Sequence, residues 1–335
     1  MLCFIVGVSF SGIPRFSFAA QQASTITGIM VPLYSYPGPN WQSLVQAKVA
    51  YPSVPVVAII NPSNGPGSYQ DPNEVWGIQL LESAGIIVVG YVATGYGGIS
   101  TSQDEQEISA YSQFYHLSGI FFDQMSSVSG YENYYSTLTS YAVSLGYSLT
   151  IGNPGALVPA SYIGTVSNIV IYENSGLPST SFLSSLGYAK SDFSMLSYGD
   201  SGIDPDFVQA AAADIEYLYI TDGTFPSPYA TLSSYFSTLI ARLAGLNPTI
   251  TITVDSFDTY GNQLPGLYGT IQSNGQLVDS GFTPFAFQAV SGDTYTVTID
   301  NYGNYYFEFW ATGSSSPSIN ITPTFSSELA AFYLT

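Results

Sequence analysis

The chain has 335 residues, of which 46% are hydrophobic and 15% aromatic, enough to form the cores of one large and one small domain. Charged residues make up only 8%, and 4 lysines and arginines stand against 23 acidic residues, which gives a formal charge of -19. This excess of negative charge excludes nucleic acids as partners, because their binding depends on cations that neutralise phosphates.

The first 23 residues resemble a secretory signal peptide. Leu2 to Phe10 is an apolar stretch, and small residues before Gln21 offer a cleavage site. The alternative is an ordinary buried strand. We therefore expect the mature protein to be secreted or held at the cell surface. No later stretch reaches the ~18 to 20 apolar residues of a membrane span. The scarcity of charges leads to the hypothesis that the protein works in an acidic exterior.

Two residue types are nearly missing from the chain. Cys3 is the only cysteine and lies inside the predicted signal peptide, so no disulfide or thiol chemistry is expected in the mature protein. His116 is the only histidine, which leaves almost no material for Ser-His-Asp catalysis or histidine-rich metal sites. No metal and no cofactor are predicted. We interpret His116 as a residue at a helix C-terminus, the alternative being a catalytic base.

Residues 25–246 alternate eight apolar, β-rich runs with eight helical patterns. The runs are 28–33, 54–60, 86–91, 119–122, 148–151, 169–172, 193–196 and 217–220. The helical patterns are 41–50, 72–84, 103–116, 131–145, 159–164, 181–186, 206–214 and 229–243. This order predicts an α/β fold, a (β/α)8 TIM-type barrel of roughly 220 residues. An open doubly wound sheet is the alternative, but no Gly-x-Gly-x-x-Gly follows any of the strands.

Residues 248–335 have a different pattern. Residues 249–254 alternate strictly between polar and apolar, and similar runs recur around Tyr268, Phe285, Tyr295, Tyr305 and Leu329. Turn residues such as those at 273–275 separate the runs. We predict a small all-β sandwich domain of about 85 residues.

Ligand sites of such barrels are built from the residues that follow the strands. Those residues here are Tyr34, Asn61, Tyr91 with Thr94, Asp123 with Gln124, Asn153, Glu173, Tyr198, and Thr221 with Asp222. Carboxylates, amides and aromatic rings suit a sugar, which offers hydroxyl groups and an apolar face. The sequence therefore predicts a polysaccharide as the partner.

Cleavage of a glycosidic bond needs two carboxyl groups that flank the bond. Asp123 after strand 4 and Glu173 after strand 6 are the predicted pair, because strands two apart contribute to the same layer of a barrel. Asp222 after strand 8 is a third acid. Each acid taken alone is explained as well by a structural role, as a helix N-cap or a hydrogen-bonding residue of a loop, as by a catalytic one. Likewise, Asn61 taken alone begins only a rigid, turn-rich loop.

A series of segments between about residues 28 and 240 carries a family resemblance. They are Val31-Pro32-Leu33-Tyr34 followed by Trp41, Ile60-Asn61-Pro62, Gly65-Pro66-Gly67, Gly90-Tyr91-Val92, Gly119-Ile120-Phe121-Phe122-Asp123, Gly152-Asn153-Pro154-Gly155, Tyr172-Glu173 and Tyr219-Ile220-Thr221-Asp222. In this collinear order they resemble the spherulin 4 (spherulation-specific) family. The resemblance implies a (β/α)8 barrel, and fungal members of the family are secreted glycoside hydrolases that act on galactosamine-containing exopolysaccharide.

The resemblance also implies roles for single residues. In the family's enzymes the strand-4 motif ends in Asp-Glu, and a glutamate after strand 6 is required as well. Asp123 and Glu173 match these positions, whereas Gln124 stands where the enzymes have glutamate. An amide cannot donate or accept a proton in the relevant pH range. Whatever acid-base role that glutamate has is therefore missing here.

Two functions follow as expectations. The first is a secreted glycoside hydrolase acting on a galactosamine- or N-acetylgalactosamine-containing exopolysaccharide of a biofilm or cell envelope. Asp123 and Glu173 are then the acid-base pair, and Gln124, Asn153 and Tyr91 position the sugar. The second is a catalytically silent carbohydrate-binding or cell-envelope protein; a purely structural surface component is a further alternative. The β domain is similar to modules of archaeal surface proteins, which suggests attachment to the cell surface.

Overall fold

The computed structural model of the protein describes residues 26–245, 249–323 and 325–334. The signal peptide predicted for residues 1–23, with Cys3, lies outside the described residues. Within the described ranges, every helix is too short or too polar to span a lipid bilayer.

Residues 28–220 contain eight parallel strands that close into a barrel. The strands are β1 Gly28–Leu33, β2 Val56–Ile60, β3 Ile87–Ala93, β4 Gly119–Asp123, β5 Leu149–Gly152, β6 Asn168–Ser175, β7 Phe193–Tyr198 and β8 Tyr217–Ile220. Strand β8 pairs with β1, where Tyr217 lies opposite Gly28 and Leu218 opposite Ile29. The prediction of a (β/α)8 barrel is confirmed, and the alternative of an open sheet is wrong.

Seven α-helices follow the strands in the described residues. They are α1 Pro39–Ala50, α2 Pro72–Ser83, α3 Thr101–Phe114, α4 Glu132–Ser144, α5 Thr180–Ser184, α6 Pro205–Asp214 and α7 Phe236–Leu243. Asp71 and Asp204 cap α2 and α6 with their side chains, and a proline occupies the first turn of each helix.

The helix predicted for residues 159–164 is wrong. The connection after β5 holds only a single 3₁₀ turn, Ala160–Tyr162. Pro159 precedes this turn and Gly164 follows it with a φ of 87°, a left-handed conformation that ends a helix. The few residues between them cannot form a stable α-helix.

Strand β6 extends further than the sequence indicates. It continues to Ser175, so Glu173 lies inside the strand and not after it. A bulge interrupts its pairing with β7 between Val170 and Tyr172. Val170 lies opposite Ser194 and Tyr172 opposite the next residue, Met195, so β6 has one residue more than β7 at this point. A bulge of this kind changes the direction of the side chains that follow it. Glu173 therefore owes its orientation to an irregularity that the hydrophobic pattern does not show.

The second domain consists of two four-stranded sheets. The strands are β9 Thr249–Asp258, β10 Tyr268–Ser273, β11 Gln276–Phe282, β12 Phe285–Val290, β13 Tyr295–Ile299, β14 Tyr306–Trp310, β15 Ser318–Ile321 and β16 Ser327–Leu334. One sheet has the order β11-β10-β13-β15 and the other β12-β9-β16-β14. Side chains of both sheets form one hydrophobic core, with Val254 and Tyr333 from one and Ile271 and Val297 from the other. The predicted sandwich is confirmed.

The barrel and the sandwich meet at Arg242 in α7. Its guanidinium donates hydrogen bonds to the carbonyl of Ser291 and, over 2.9 Å, to the carboxylate of Asp293. Among the described residues this is the single ion pair that the structure contains. The contact fixes the last helix of the barrel to the turn between β12 and β13.

Candidate active site

Asp123 and Glu173 meet at the carboxyl ends of the barrel strands, and one amide group joins them. Nδ2 of Asn153 donates to Oδ1 of Asp123 over 2.8 Å and to Oε2 of Glu173 over 2.6 Å. Two oxygens that share a nitrogen at these distances are at most the sum of the two bonds apart, about 5.4 Å, close to the ~5 to 5.5 Å between the carboxyl groups of retaining glycosidases.

The backbone around Asn153 fixes the orientation of this amide. Its Oδ1 accepts a hydrogen bond from the N–H of Gly155 over 3.0 Å, so the NH₂ group must face the two acids. Its own N–H donates to the carbonyl of Phe122, and its carbonyl accepts from the N–H of Met125. The side chain is 5% exposed. Asn153 therefore acts as a rigid bridge between β4 and β6.

Each acid accepts a second hydrogen bond from a tyrosine. The hydroxyl of Tyr91 donates to Oδ2 of Asp123 over 2.8 Å, and that of Tyr229 donates to Oε1 of Glu173 over 2.8 Å. The ring of Tyr34 packs edge-on against both tyrosines, with ring centroids 5.8 Å from Tyr91 and 6.1 Å from Tyr229. All four carboxylate oxygens are thus held by neutral donors.

Burial sets the protonation of the site. Desolvation raises the pKa of Glu173, the charge of Asp123 raises it further, and the hydrogen bonds from Asn153 and Tyr229 lower it in part. Burial and the two nearby carboxylates also raise the pKa of Tyr34. Burial and the carboxylate that each one bonds to also raise the pKa of Tyr91 and of Tyr229, so both hydroxyls keep their protons. With its raised pKa, Glu173 keeps a proton at a higher pH than a glutamate in water does.

An open cleft of about 480 Å³ lies beside Glu173. Tyr34, Tyr198 and Tyr229 line it together with Glu173, and residues 225–230 after β8 form a further wall. This volume lies within the usual range of small-molecule sites, and its lining combines aromatic surface with one charged group. In the described parts of the chain, no three or more histidine, cysteine, aspartate or glutamate side chains are grouped to hold a metal ion.

The remaining residues that the sequence analysis selected have local roles. Oδ1 of Asn61 accepts a hydrogen bond from the N–H of Gly65 and shapes its own loop. Oδ1 of Asp222 accepts one from the N–H of Ser234, and the pKa of Asp222 is lowered because hydrogen bonds of this kind outweigh its partial burial. These contacts do not bring either residue to the pair formed by Asp123 and Glu173.

Gln124 follows Asp123 directly in the chain and is exposed to solvent. Its φ of 51° is a left-handed conformation that glutamine seldom adopts. The carbonyl of Gln124 accepts hydrogen bonds from Oγ1 of Thr94 and from the N–H of Tyr96, and these bonds hold the backbone in that conformation. The position is therefore a fixed turn directly after the strand that ends at Asp123.

Tyr229, and the wall of the cleft that begins at Phe225, are not among the site residues that the sequence predicts. The sequence pattern places residues 229–243 in one helix, whereas α7 begins only at Phe236. The signal was present, since Phe225-Pro226-Ser227-Pro228-Tyr229 is an aromatic, turn-rich segment after a strand, like the loop that follows Asn61.

Comparison with known proteins gives three findings. The sequence model of the family described as "Spherulation-specific family 4" matches residues 28–243. Spherulin-4 of Physarum polycephalum is 34% identical over 238 residues, which are 65% of this chain and 70% of that protein. The crystal structure of Aspergillus clavatus Sph3 in complex with GalNAc matches with a TM-score of 0.60 and 23% identity, over 65% of this chain and 98% of that one. The structural match shows a shared barrel fold.

Proposed function

This chain belongs to the spherulation-specific family 4, and we propose that it is a glycoside hydrolase that cleaves a polysaccharide containing galactosamine or N-acetylgalactosamine. The observation behind the proposal is the pair of Asp123 and Glu173, held by one amide beside an open cleft. The sugar is suggested by Sph3 of Aspergillus clavatus, whose crystal structure is a complex with GalNAc.

The two acids have different tasks in this proposal. Glu173, with its raised pKa, donates a proton to the oxygen of the leaving sugar. An oxygen of Asp123 attacks the anomeric carbon while the bond to that leaving oxygen breaks. Glu173, now ionised, removes a proton from water, and the water oxygen displaces Asp123 from the sugar. Asn153 and Tyr91 hold Asp123 in place for the attack.

Protonated Glu173 needs an acceptor for its proton until the substrate arrives. The hydroxyl of Tyr229 lies 2.8 Å from Oε1 and can rotate, so that it accepts from the acid form and donates to the ionised form. Tyr229 thus suits both states through which Glu173 passes.

The direct test incubates the purified protein with a panel of galactosamine and N-acetylgalactosamine polymers and measures new reducing ends. We expect turnover by the wild-type chain and a loss of about 10²- to 10⁴-fold in Asp123→Asn and in Glu173→Gln. Asp222→Asn is the matched control, because Asp222 bonds to its own loop. Equal turnover by Asp123→Asn and the wild type on every susceptible polymer would overturn the assignment.

A second candidate function rests on Gln124. If the glutamate of the family's enzymes is needed for cleavage, this chain binds the same glycans without cutting them. Wild-type protein then binds N-acetylgalactosamine oligosaccharides and releases no product, and Gln124→Glu creates turnover. Since the side chain is exposed, this substitution should leave the fold intact. If the wild type forms cleavage product, the protein is a hydrolase and the second candidate function is wrong.

We also propose that the protein works outside the cell and that its β domain attaches it to a surface. The apolar stretch near residue 1 and the low content of charged residues support this proposal. Fractionation of cells that produce the full chain, compared with a chain lacking residues 1–23, tests it. Retention of the full chain inside the cell would contradict it.

A further inference from the structure

We propose that Phe225 is a stacking platform for a second sugar residue, the neighbour of the residue held between Asp123 and Glu173. The inference rests on the proposed carbohydrate function and adds a binding subsite to it. The ring of Phe225 is 79% exposed and forms part of the wall of the cleft that Glu173 also lines. A sugar ring has an apolar face that can cover such a phenyl ring.

Exposure alone would not support a subsite, because single exposed apolar side chains are common on protein surfaces. The position of Phe225 is what distinguishes it. Glu173 is the one charged residue among those that line the cleft, and the wall from Phe225 to Ala230 contains two prolines and no charge. Such a wall offers stacking and shape to its ligand, and no ionic contact.

The loop that carries Phe225 is fixed at both ends. A Cβ on Gly223 would lie 1.9 Å from the carbonyl oxygen of Pro228, so the chain folds back tightly on itself at this glycine. The carbonyl of Gly223 accepts a hydrogen bond from the N–H of Gly199 over 2.7 Å. The carbonyl of Ala230 accepts one from Nδ2 of Asn40 over 3.1 Å. A platform that is ordered before binding loses little entropy when the ligand arrives.

The same loop also contacts the acid. Tyr229, four residues after Phe225, donates its hydroxyl hydrogen bond to Glu173. One short segment therefore carries Phe225 and also the tyrosine that bonds to Glu173, and both Phe225 and Glu173 line the same cleft. In this proposal the glycan extends along the cleft from Glu173 towards Phe225, so that the sugar next to the cleaved bond lies near the phenyl ring. This arrangement predicts that the length of the ligand decides whether Phe225 contributes to affinity.

The experiment measures affinity as a function of ligand length. Calorimetry uses N-acetylgalactosamine and its oligosaccharides of increasing length, on chains that all carry Asp123→Asn so that the ligand is not consumed. Phe225→Ala should weaken binding of the oligosaccharides about 3- to 10-fold and leave binding of the monosaccharide unchanged. Phe225→Trp should retain the affinity for oligosaccharides. Tyr260→Ala, at an 86% exposed site in the β domain, is the control for loss of an exposed ring.

Each other outcome has a distinct meaning. Equal affinities of Phe225→Ala and the parent chain for all lengths, or an equal loss for monosaccharide and oligosaccharides, would overturn the subsite and leave the proposed function in place. If the parent chain binds none of these sugars and the wild type cleaves no polymer of galactosamine or of N-acetylgalactosamine, the proposed function fails and the subsite with it.

Discussion

Asp123 and Glu173 accept hydrogen bonds from the same amide nitrogen, that of Asn153. Two negative charges at this separation repel each other, and a shared donor between them reduces the repulsion. The amide has no proton to give up in the working pH range, so it keeps the same role whichever acid is ionised. The two acids are thus coupled through one uncharged group.

Replacement of Asn153 by alanine should change the pH dependence of the reaction. The hydrogen bond from Asn153 lowers the pKa of Glu173, so its loss raises that pKa further. Because Glu173 must be protonated to donate, the alkaline limb of the rate profile should move to higher pH. We expect kcat/KM at the optimum to fall about 10- to 100-fold, since both carboxyl groups lose their alignment.

Asn153→Ala is measured as a full pH-rate profile, with Asn61→Ala as a matched asparagine that bonds only to its own loop. An unchanged alkaline limb in Asn153→Ala, together with a lower rate at all pH values, would show that the residue supports structure and does not tune Glu173.

The short gap between the carboxyl groups predicts the stereochemistry of cleavage. Oδ1 of Asp123 and Oε2 of Glu173 are at most about 5.4 Å apart, less than the ~6.5 to 9.5 Å that leaves room for a water between the carboxyl groups of inverting enzymes. We therefore expect the first product to retain the configuration of the substrate. Proton NMR during the first minutes of turnover identifies the anomer. An inverted first product would exclude Asp123 as the nucleophile.

Buried acids away from the site should make the barrel more stable at low pH. Glu74 in α2 is 3% exposed, and its Oε2 has no hydrogen-bond partner among the described residues. Burial, with the charge of Asp71, raises the pKa of Glu74 from 4.5 to about 7. An acid whose pKa is raised by folding binds its proton more tightly in the folded state than in the unfolded state. The stabilisation of the fold by protonated Glu74 is complete below pH 4.5 and is lost as pH rises to about 7.

Glu74→Gln should therefore raise the free energy of unfolding at pH 7.5 by about 1 to 3 kcal/mol and have little effect at pH 4. Urea unfolding followed by the helical circular dichroism signal of the barrel measures both values. Glu105→Gln in α3 is the control, because that side chain is only partly buried. A gain of the same size at both pH values would mean that burial of the charge is not the cause.

Arg242→Met should loosen the contact between the two domains. The side chain of Arg242 is 11% exposed, and its guanidinium bonds to Ser291 and to Asp293. Methionine keeps much of the volume but none of the donors. We expect the barrel and the sandwich to lose about 1 to 2 kcal/mol of mutual stabilisation, a modest value because Asp293 is 40% exposed. In calorimetry the wild type should unfold in one broad transition, and Arg242→Met should unfold in two. An unchanged profile would show that other contacts join the domains.

The sequence was a good guide to the barrel because its strands are buried on both faces and read as continuous apolar runs. It also placed Tyr91, Asp123, Asn153 and Glu173 among the residues of one site, and the structure brings these four together. The resemblance to a family contributed as much as the pattern did, since the spacing alone left each acid open to a local explanation.

The reading of the hydrophobic pattern missed three kinds of feature. The bulge in β6 changes the direction of the Glu173 side chain, and the spacing of hydrophobic residues does not indicate the bulge. Strands β11 and β15 were both missed: β11 is largely exposed on both faces and so lacks alternation, and β15 has only four residues. Tyr229 was assigned to a helix because the turn signal of the prolines before it was given too little weight. Each miss comes from tertiary contacts or turn chemistry that a period cannot encode.

Both domains are completed by the pairing of their first strand with the last strand described. Strand β1 pairs with β8, and β9 pairs in parallel with β16. During synthesis the barrel cannot close until β8 has left the ribosome, and β9, which pairs with β12 on one side, keeps its other edge unpaired until β16 has left it. The barrel can be finished while the strands of the sandwich are still being made. The sandwich then assembles against a neighbour that is already folded.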